Sequence, residues 1–282
     1  MEMNVAGRPF LSEKGLPSGK CSGCPFSGGG TAFFPGSLSE IKSTIMLSTQ
    51  TPIRIFLTGF FLILMQYTDV RADDFPRAVT AFSGVNLRIP AETEWTSAAG
   101  ASCVITCSAE IEKQIVVENE GNTLIIRFRG SGLKGWLSDR DRIRVRLSSP
   151  MLEKVKINGS GNFVMKSPGK APAFKFQING SGDLDARMES ASCDGSINGS
   201  GKVKLSGKSD RFSLEIHGSG DVDALELDCK SVEVEIAGSG DAKVQVSESL
   251  EVEIAGSGDV AYKGNPKKLV QKVAGSGEIR KL

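Results

Sequence analysis

From residue 231 to residue 262 apolar and polar positions alternate almost without interruption. Val232, Val234 and Ile236 are spaced by Glu233 and Glu235; after Gly238-Ser239-Gly240, Ala242, Val244 and Val246 are spaced by Lys243 and Gln245. An apolar side chain at every second position marks a strand with one face buried. The unit therefore reads as two half-buried strands joined through a glycine corner. The next stretch, Leu250 through Gly256-Ser257-Gly258 to Tyr262, repeats the pattern.

The corner itself recurs. Gly-Ser-Gly stands at Gly159–Gly161, Gly180–Gly182, Gly199–Gly201, Gly218–Gly220, Gly238–Gly240, Gly256–Gly258 and Gly275–Gly277, at steps of 21, 19, 19, 20, 18 and 19 residues. A near-constant period of this length is the signature of a solenoid, in which no coil buries its inward side chains alone and the stack does so. Equivalent strands then pair in parallel, each coil resting on the one before. Gly130-Ser131-Gly132 lies 29 residues ahead of the first corner and is read as outside the register. Stacked corners bring backbones close together and turn the chain within three residues, which is work for glycine. Gly159, Gly161, Gly180, Gly182, Gly199, Gly201, Gly218, Gly220, Gly238, Gly240, Gly256, Gly258, Gly275 and Gly277 are accordingly assigned as structural turn positions. The residue before each corner runs Asn158, Asn179, Asn198, His217, Ala237, Ala255, Ala274, a polar ladder giving way to a small apolar one. His217, the one histidine in the chain, is thus a ladder member rather than a catalyst.

After the corners stand Asn162, Asp183, Lys202, Asp221, Asp241, Asp259 and Glu278. A row of carboxylates suggests calcium, but Lys202 breaks it and one carboxylate per coil is too few ligands for that ion; solvated edges are expected. Ahead of the repeats, Phe82–Ile89, Ser102–Cys107, Thr123–Phe128 and Asp141–Leu147 read as strands, and Ala109–Ile115 has short helical spacing. Arg142, Arg144 and Arg146 line one face of the last of these strands and read as a solvated face that resists edge-to-edge pairing. Cys103 and Cys107 would lie about 13 Å apart on one strand face, too far for a disulfide, and free thiols are expected. Cys21 and Cys24 supply only half of a tetrahedral zinc site. No catalytic, cofactor-binding or metal residue is assigned.

Composition adds a location. Met46–Arg54 leads into the apolar run Ile55–Met65 and a small-residue exit at Val70-Arg71-Ala72, the layout of a secretory signal peptide over 46–72. The run is shorter than the ~20 residues a spanning helix needs. Residues 1–45, rich in turn formers, are expected to be disordered or to reflect the choice of start site, with Met46 as initiator. A chain beginning near Asp73 keeps 28 basic and 29 acidic residues, so no global charge draws it to nucleic acid. The expected organisation is an N-terminal β-rich part over 73–150 and the repeat solenoid over 151–282.

The run Leu147–Gly161, the ending Val260-Ala261-Tyr262-Lys263-Gly264-Asn265-Pro266 and the repeats between them resemble the bacterial GIN-domain family, the head domains of auto-transporter adhesins, over about residues 78–282. The resemblance implies an all-β, right-handed parallel β-helix, an exported or envelope location and no established catalytic residues. The expected function is that of a non-catalytic, adhesin-like or envelope-associated binding or structural protein. Its ligand would be a protein or glycan of the envelope or the outside, with a homo-oligomer open, in the periplasm, at the cell surface or secreted. The rival is a carbohydrate-active enzyme, a polysaccharide lyase or hydrolase on a parallel β-helix, which needs paired carboxylates gathered on one face.

Overall fold

The computed structural model describes residues 73–130 and 142–282. The expected leading segment and signal peptide, and Ser131 and Gly132 of the Gly130-Ser131-Gly132 triplet, lie outside the described residues. Among the described residues, eighteen strands make a single sheet wound around one core, and one short helix packs against it. Each coil crosses a front face, turns at its corner and returns along a back face.

Within the repeats the front strands are β8 (Lys154–Gly159), β11 (Ala173–Gly180), the second halves of β12 (Leu184–Gly199), β13 (Lys202–Gly218), β14 (Asp221–Gly238) and β15 (Ala242–Gly256), and finally β17 (Lys268–Gly275). The back strands are β9 (Asn162–Met165), the first halves of β12 to β15, then β16 (Val260–Gly264) and β18 (Ile279–Lys281). All pair in parallel, corner level with corner: Gly159, Gly180, Gly199, Gly218, Gly238, Gly256 and Gly275 share one register row. Two β-bulge shifts between β14 and β15 absorb the shorter spacing of that coil.

The alternation explains the burial. Phe174, Phe176 and Ile178 on the front strand, and Leu184, Ala186 and Met188 on the back strand, all point into the core. Two residues before each of the first six corners the inward position is Ile157, Ile178, Ile197, Ile216, Ile236 and Ile254, each essentially fully buried. Gly195 takes an inward position where any Cβ would run into the Phe176 ring, so the small residue makes room for the large one in the neighbouring coil.

The N-terminal coils depart from sequential stacking. β2 (Gly84–Arg88) and β3 (Ala91–Ser97) form a front-back pair turned at Ile89-Pro90, and β6 (Thr123–Phe128) and β7 (Ile143–Ser149) form another. β2 pairs with β6 on one side and β8 on the other; β3 pairs with β7 and with β9. The earlier coil therefore sits between the later one and the first Gly-Ser-Gly coil, so the expectation that each coil rests on the one before holds only from β8 onward. The same registers set Leu87 level with both Ile126 and Ile157. Phe128 then aligns with Gly159, and Gly130 falls two residues past the corner row. Beyond these coils, β1 (Asp73–Arg77) and β4 (Ser102–Cys107) add antiparallel strands to the back face, and β5 (Ile115–Glu120) adds one to the front. α1 (Ala109–Glu112) links β4 to β5 across the end of the stack and buries Ile111 against the core.

Candidate functional site

The corners come first because they position everything around them. Each leading glycine from Gly159 to Gly275 has φ between +117° and +144°, a region that L side chains rarely adopt and only with strain. From Gly180 onward each also lies directly over the carbonyl of the preceding leading glycine, with no room for a Cβ. That carbonyl accepts the N–H of the next corner's serine, from Ser181 on Gly159 (3.0 Å) to Ser276 on Gly256 (2.9 Å). The trailing glycines, Gly182 to Gly277, have no positive φ but are doubly crowded: a Cβ there would come within 2.1–3.0 Å of the preceding trailing glycine's carbonyl and within 2.6–3.0 Å of the Cγ2 of the buried isoleucine one coil back. Two further positive-φ glycines, Gly207 and Gly264, pack on the Met188 and Val246 carbonyls. Neither belongs to a Gly-Ser-Gly triplet, so the triplet pattern does not reveal them.

The polar ladder before the corners is a hydrogen-bonded column. Asn198 donates to Asn179 (3.3 Å), Asn179 to Asn158 (2.9 Å) and Asn158 to Asn86 (2.8 Å). His217 and Ala237 occupy the next two rungs. The carboxylates after the corners also have work to do: Asp183 accepts the Lys202 N–H (3.1 Å), Asp241 that of Asp259 (2.9 Å) and Asp259 that of Glu278 (2.8 Å). The expectation of merely solvated edges is corrected at these three, which tie coil to coil. No group of three or more His, Cys, Asp or Glu able to hold a metal occurs among the described residues.

Beside the corner row, the back face carries a groove of about 530 Å³ that crosses the coils of β9 and of the first halves of β12 to β15. Its lining follows from register. The outward position two residues into each back strand is Asp185, Lys204, Asp223 and Lys243, stacked as neighbours. Just ahead of it, Lys202 lies beside Asp221. Signs alternate along the row, the favourable arrangement for neighbouring strands. Lys204 reaches Glu226 at 4.0 Å and Asp223 accepts the Leu225 N–H. Lys202, Lys243, Asp185 and Asp221 are exposed and make no ion pair among the described residues. Some rows elsewhere are matched at home. Lys170 meets Glu189 (2.9 Å) and Lys230 meets Asp210 (2.7 Å), holding both carboxyls below their usual range.

The arginine stripe of β7 is such a matched surface. Arg144 pairs with Glu92 on β3 (3.3 Å) and Arg146 with Asp74 on β1 (2.6 Å). A hydrogen bond from Thr106, followed by that from Arg146, lowers the Asp74 pKa. Cys103, Cys107, Cys193 and Cys229 are buried and free. Desolvation pushes the thiols of Cys103 and Cys229 up to about 12 and that of Cys107 to about 11; Cys193 shifts in the same direction. Thiolate chemistry is thereby suppressed at all four.

A two-faced parallel β-solenoid, its outer surface built of in-register rows, is a scaffold class that presents long binding faces. The chain belongs to the family described as "putative auto-transporter adhesin, head GIN domain", whose model matches residues 81–266. Solved structures share the fold. One titled a putative adhesin from Bacteroides fragilis has TM-score 0.70 at 21% identity, covering 75% of this chain and 97% of its own. Another, titled a putative lipid binding protein from Parabacteroides distasonis, has TM-score 0.63 at 23% identity, covering 76% and 98%. A putative adhesin from Parabacteroides merdae has TM-score 0.59 at 21% identity, covering 76% and 97%. No curated protein is significantly similar to the chain. Among the described residues no helix is long and apolar enough to cross a membrane.

Proposed function

We propose that this chain is an exported, non-catalytic binding module of the adhesin type, and that the back-face groove is its ligand surface. The observation that carries the reading is the set of unmatched charges there. Lys202, Lys243, Asp185 and Asp221 stand exposed in an open groove without an ion pair among the described residues, both signs brought together there by register. Ammonium and carboxylate groups repeated every ~4.8 Å suit an extended polar ligand, a glycan or a peptide segment of the envelope or its surroundings, held by many weak contacts. Along the row the carboxylates of the groove alternate with lysines from coil to coil, whereas acid-base hydrolysis calls for one matched pair in contrasting environments.

Export by the 46–72 signal peptide is part of the same reading, as is the division of the mature chain into residues 73–150 and the repeats of 151–282. N-terminal sequencing of the protein from its native cells should begin near Asp73; peptides from before Met46 would refute the start-site reading. For the groove, glycan arrays and envelope extracts are probed with the intact protein and with a Lys202→Ala/Lys243→Ala variant, scoring retention and cleavage separately. Retention without products, lost in the variant, is expected. Shortened glycan products, or retention indifferent to the two lysines, would overturn it.

A further inference from the structure

The two ends of the stack are finished differently. One is closed by α1, with Ile111 in the core and Arg77 bonded to Glu112. The other ends on β17, which among the described residues pairs with β15 on one side only. Here the four exposed large apolar side chains of the described residues collect: Leu269, Val270, Val273 and Leu282, 39–56% accessible. Leu269 and Val273 continue the inward rows of Leu250 and Ile254, so they are core positions without the coil that would cover them. Charge reverses here as well. Residues 263–282 carry Lys263, Lys267, Lys268, Lys272, Arg280 and Lys281 against Glu278 alone, whereas the adjoining front strand bears Glu251 and Glu253.

We propose that this end is a strand-addition site, where the free edge of β17 takes up an extended segment of a partner protein in which apolar residues alternate with acidic ones. Three features specify that occupant. The unpaired N–H and C=O groups of an edge strand are satisfied by another backbone. The inward positions of β17 are Leu269, Gln271 and Val273, so the added strand needs apolar residues level with the first and last, and the outward Lys268 and Lys272 call for carboxylates on its other face. β15 already meets this description on the other side, where Leu250-Glu251-Val252-Glu253-Ile254 lies in register with β17 and Glu253 bonds Lys272. A second copy docking end to end would oppose two basic surfaces. A lipid surface would leave the edge's backbone groups unsatisfied.

The test uses a fluorescent peptide with the sequence of residues 249–256, titrated with the intact chain and followed by anisotropy. Saturable binding that weakens with added salt is expected, together with new amide protection confined to residues 268–281. The same peptide carrying Lys at both glutamate positions should not bind. Lys268→Gln/Lys281→Gln, far from the core, should weaken binding about tenfold with an unchanged circular dichroism spectrum. Failure of the acidic peptide to bind overturns the proposal, whether phosphatidylglycerol vesicles capture the chain instead or sedimentation shows it pairing with itself. Protection mapping outside the last coil would overturn it equally.

Discussion

At the scale of single residues, the corner glycines are held by two separable demands, and substitution should separate them. At Gly159 the backbone has φ +117° but nothing lies within 4 Å of an added Cβ; at Gly238 φ is +142° and the Gly218 carbonyl blocks the space. Gly159→Ala should therefore cost the conformational penalty of about 1–3 kcal/mol, and Gly238→Ala that penalty plus a backbone displacement across the stack. Urea unfolding of the two variants should rank them in that order, and equal losses would mean that the stacked carbonyls give way freely. Thr93 offers the opposite test. It is buried in β3 between Val145 and Phe163, and its hydroxyl has no hydrogen-bond partner among the described residues. Thr93→Val removes an unsatisfied group at constant shape and should raise stability by about 1 kcal/mol, read as a higher urea midpoint at an unchanged slope. The four buried thiols set a pH limit. Their folded pKa values are raised above those of the unfolded chain, so the stability they allow is intact below about pH 9 and declines as pH climbs toward 11–12. Iodoacetamide should leave them unlabelled in the native protein and modify them in denaturant.

At the scale of elements, the strands were legible because each inward face is apolar at period two, as in Val232, Val234 and Ile236. The corners were legible because Gly-Ser-Gly satisfies two steric constraints with one short motif. What escaped the pattern has a physical reason in each case. Gly207 and Gly264 meet the positive-φ, stacked-carbonyl demand singly, without a neighbouring serine or second glycine to mark them. The groove escaped because Asp185, Lys204, Asp223 and Lys243 come from four coils and form a row only through register. The after-corner aspartates were misread because their partners are backbone N–H groups one coil away, which composition does not display. That correction is testable at Asp241. Asp241→Asn keeps the oxygen that accepts the Asp259 N–H and should leave thermal stability nearly unchanged. Asp241→Ala removes it and should cost about 1 kcal/mol. If Asn and Ala prove equally damaging, the carboxylate charge rather than the hydrogen bond is what matters there.

At the scale of the whole molecule, stacking order decides how the protein holds together. From β8 onward neighbours in sequence are neighbours in space, and such an array loses terminal coils gradually because each contributes mainly its own interface. The N-terminal coils do not follow this rule. β2 and β3 are inserted between β6–β7 and β8–β9, and Leu87 stands between Ile126 and Ile157, so this coil supplies both interfaces that join the cap to the repeats. Its contacts span up to about 70 residues, and ordering that much chain before the contacts form makes this the slow, cooperative part of assembly. Deleting residues 265–282 should therefore leave a chain that still unfolds in one transition at a modestly lower temperature. Deleting residues 84–97, fewer residues, should uncouple the cap and abolish the single transition. Leu87→Ala, a milder change at the same place, should cost about 2–5 kcal/mol and expose β6 and β7 to protease before the repeats. The matching change in the last paired coil, Leu250→Ala, should leave the cap protected. Thermal melts with limited proteolysis read all four variants. A cap that stays protected after Leu87→Ala would mean that β6–β7 holds to the repeats by contacts other than the inserted coil.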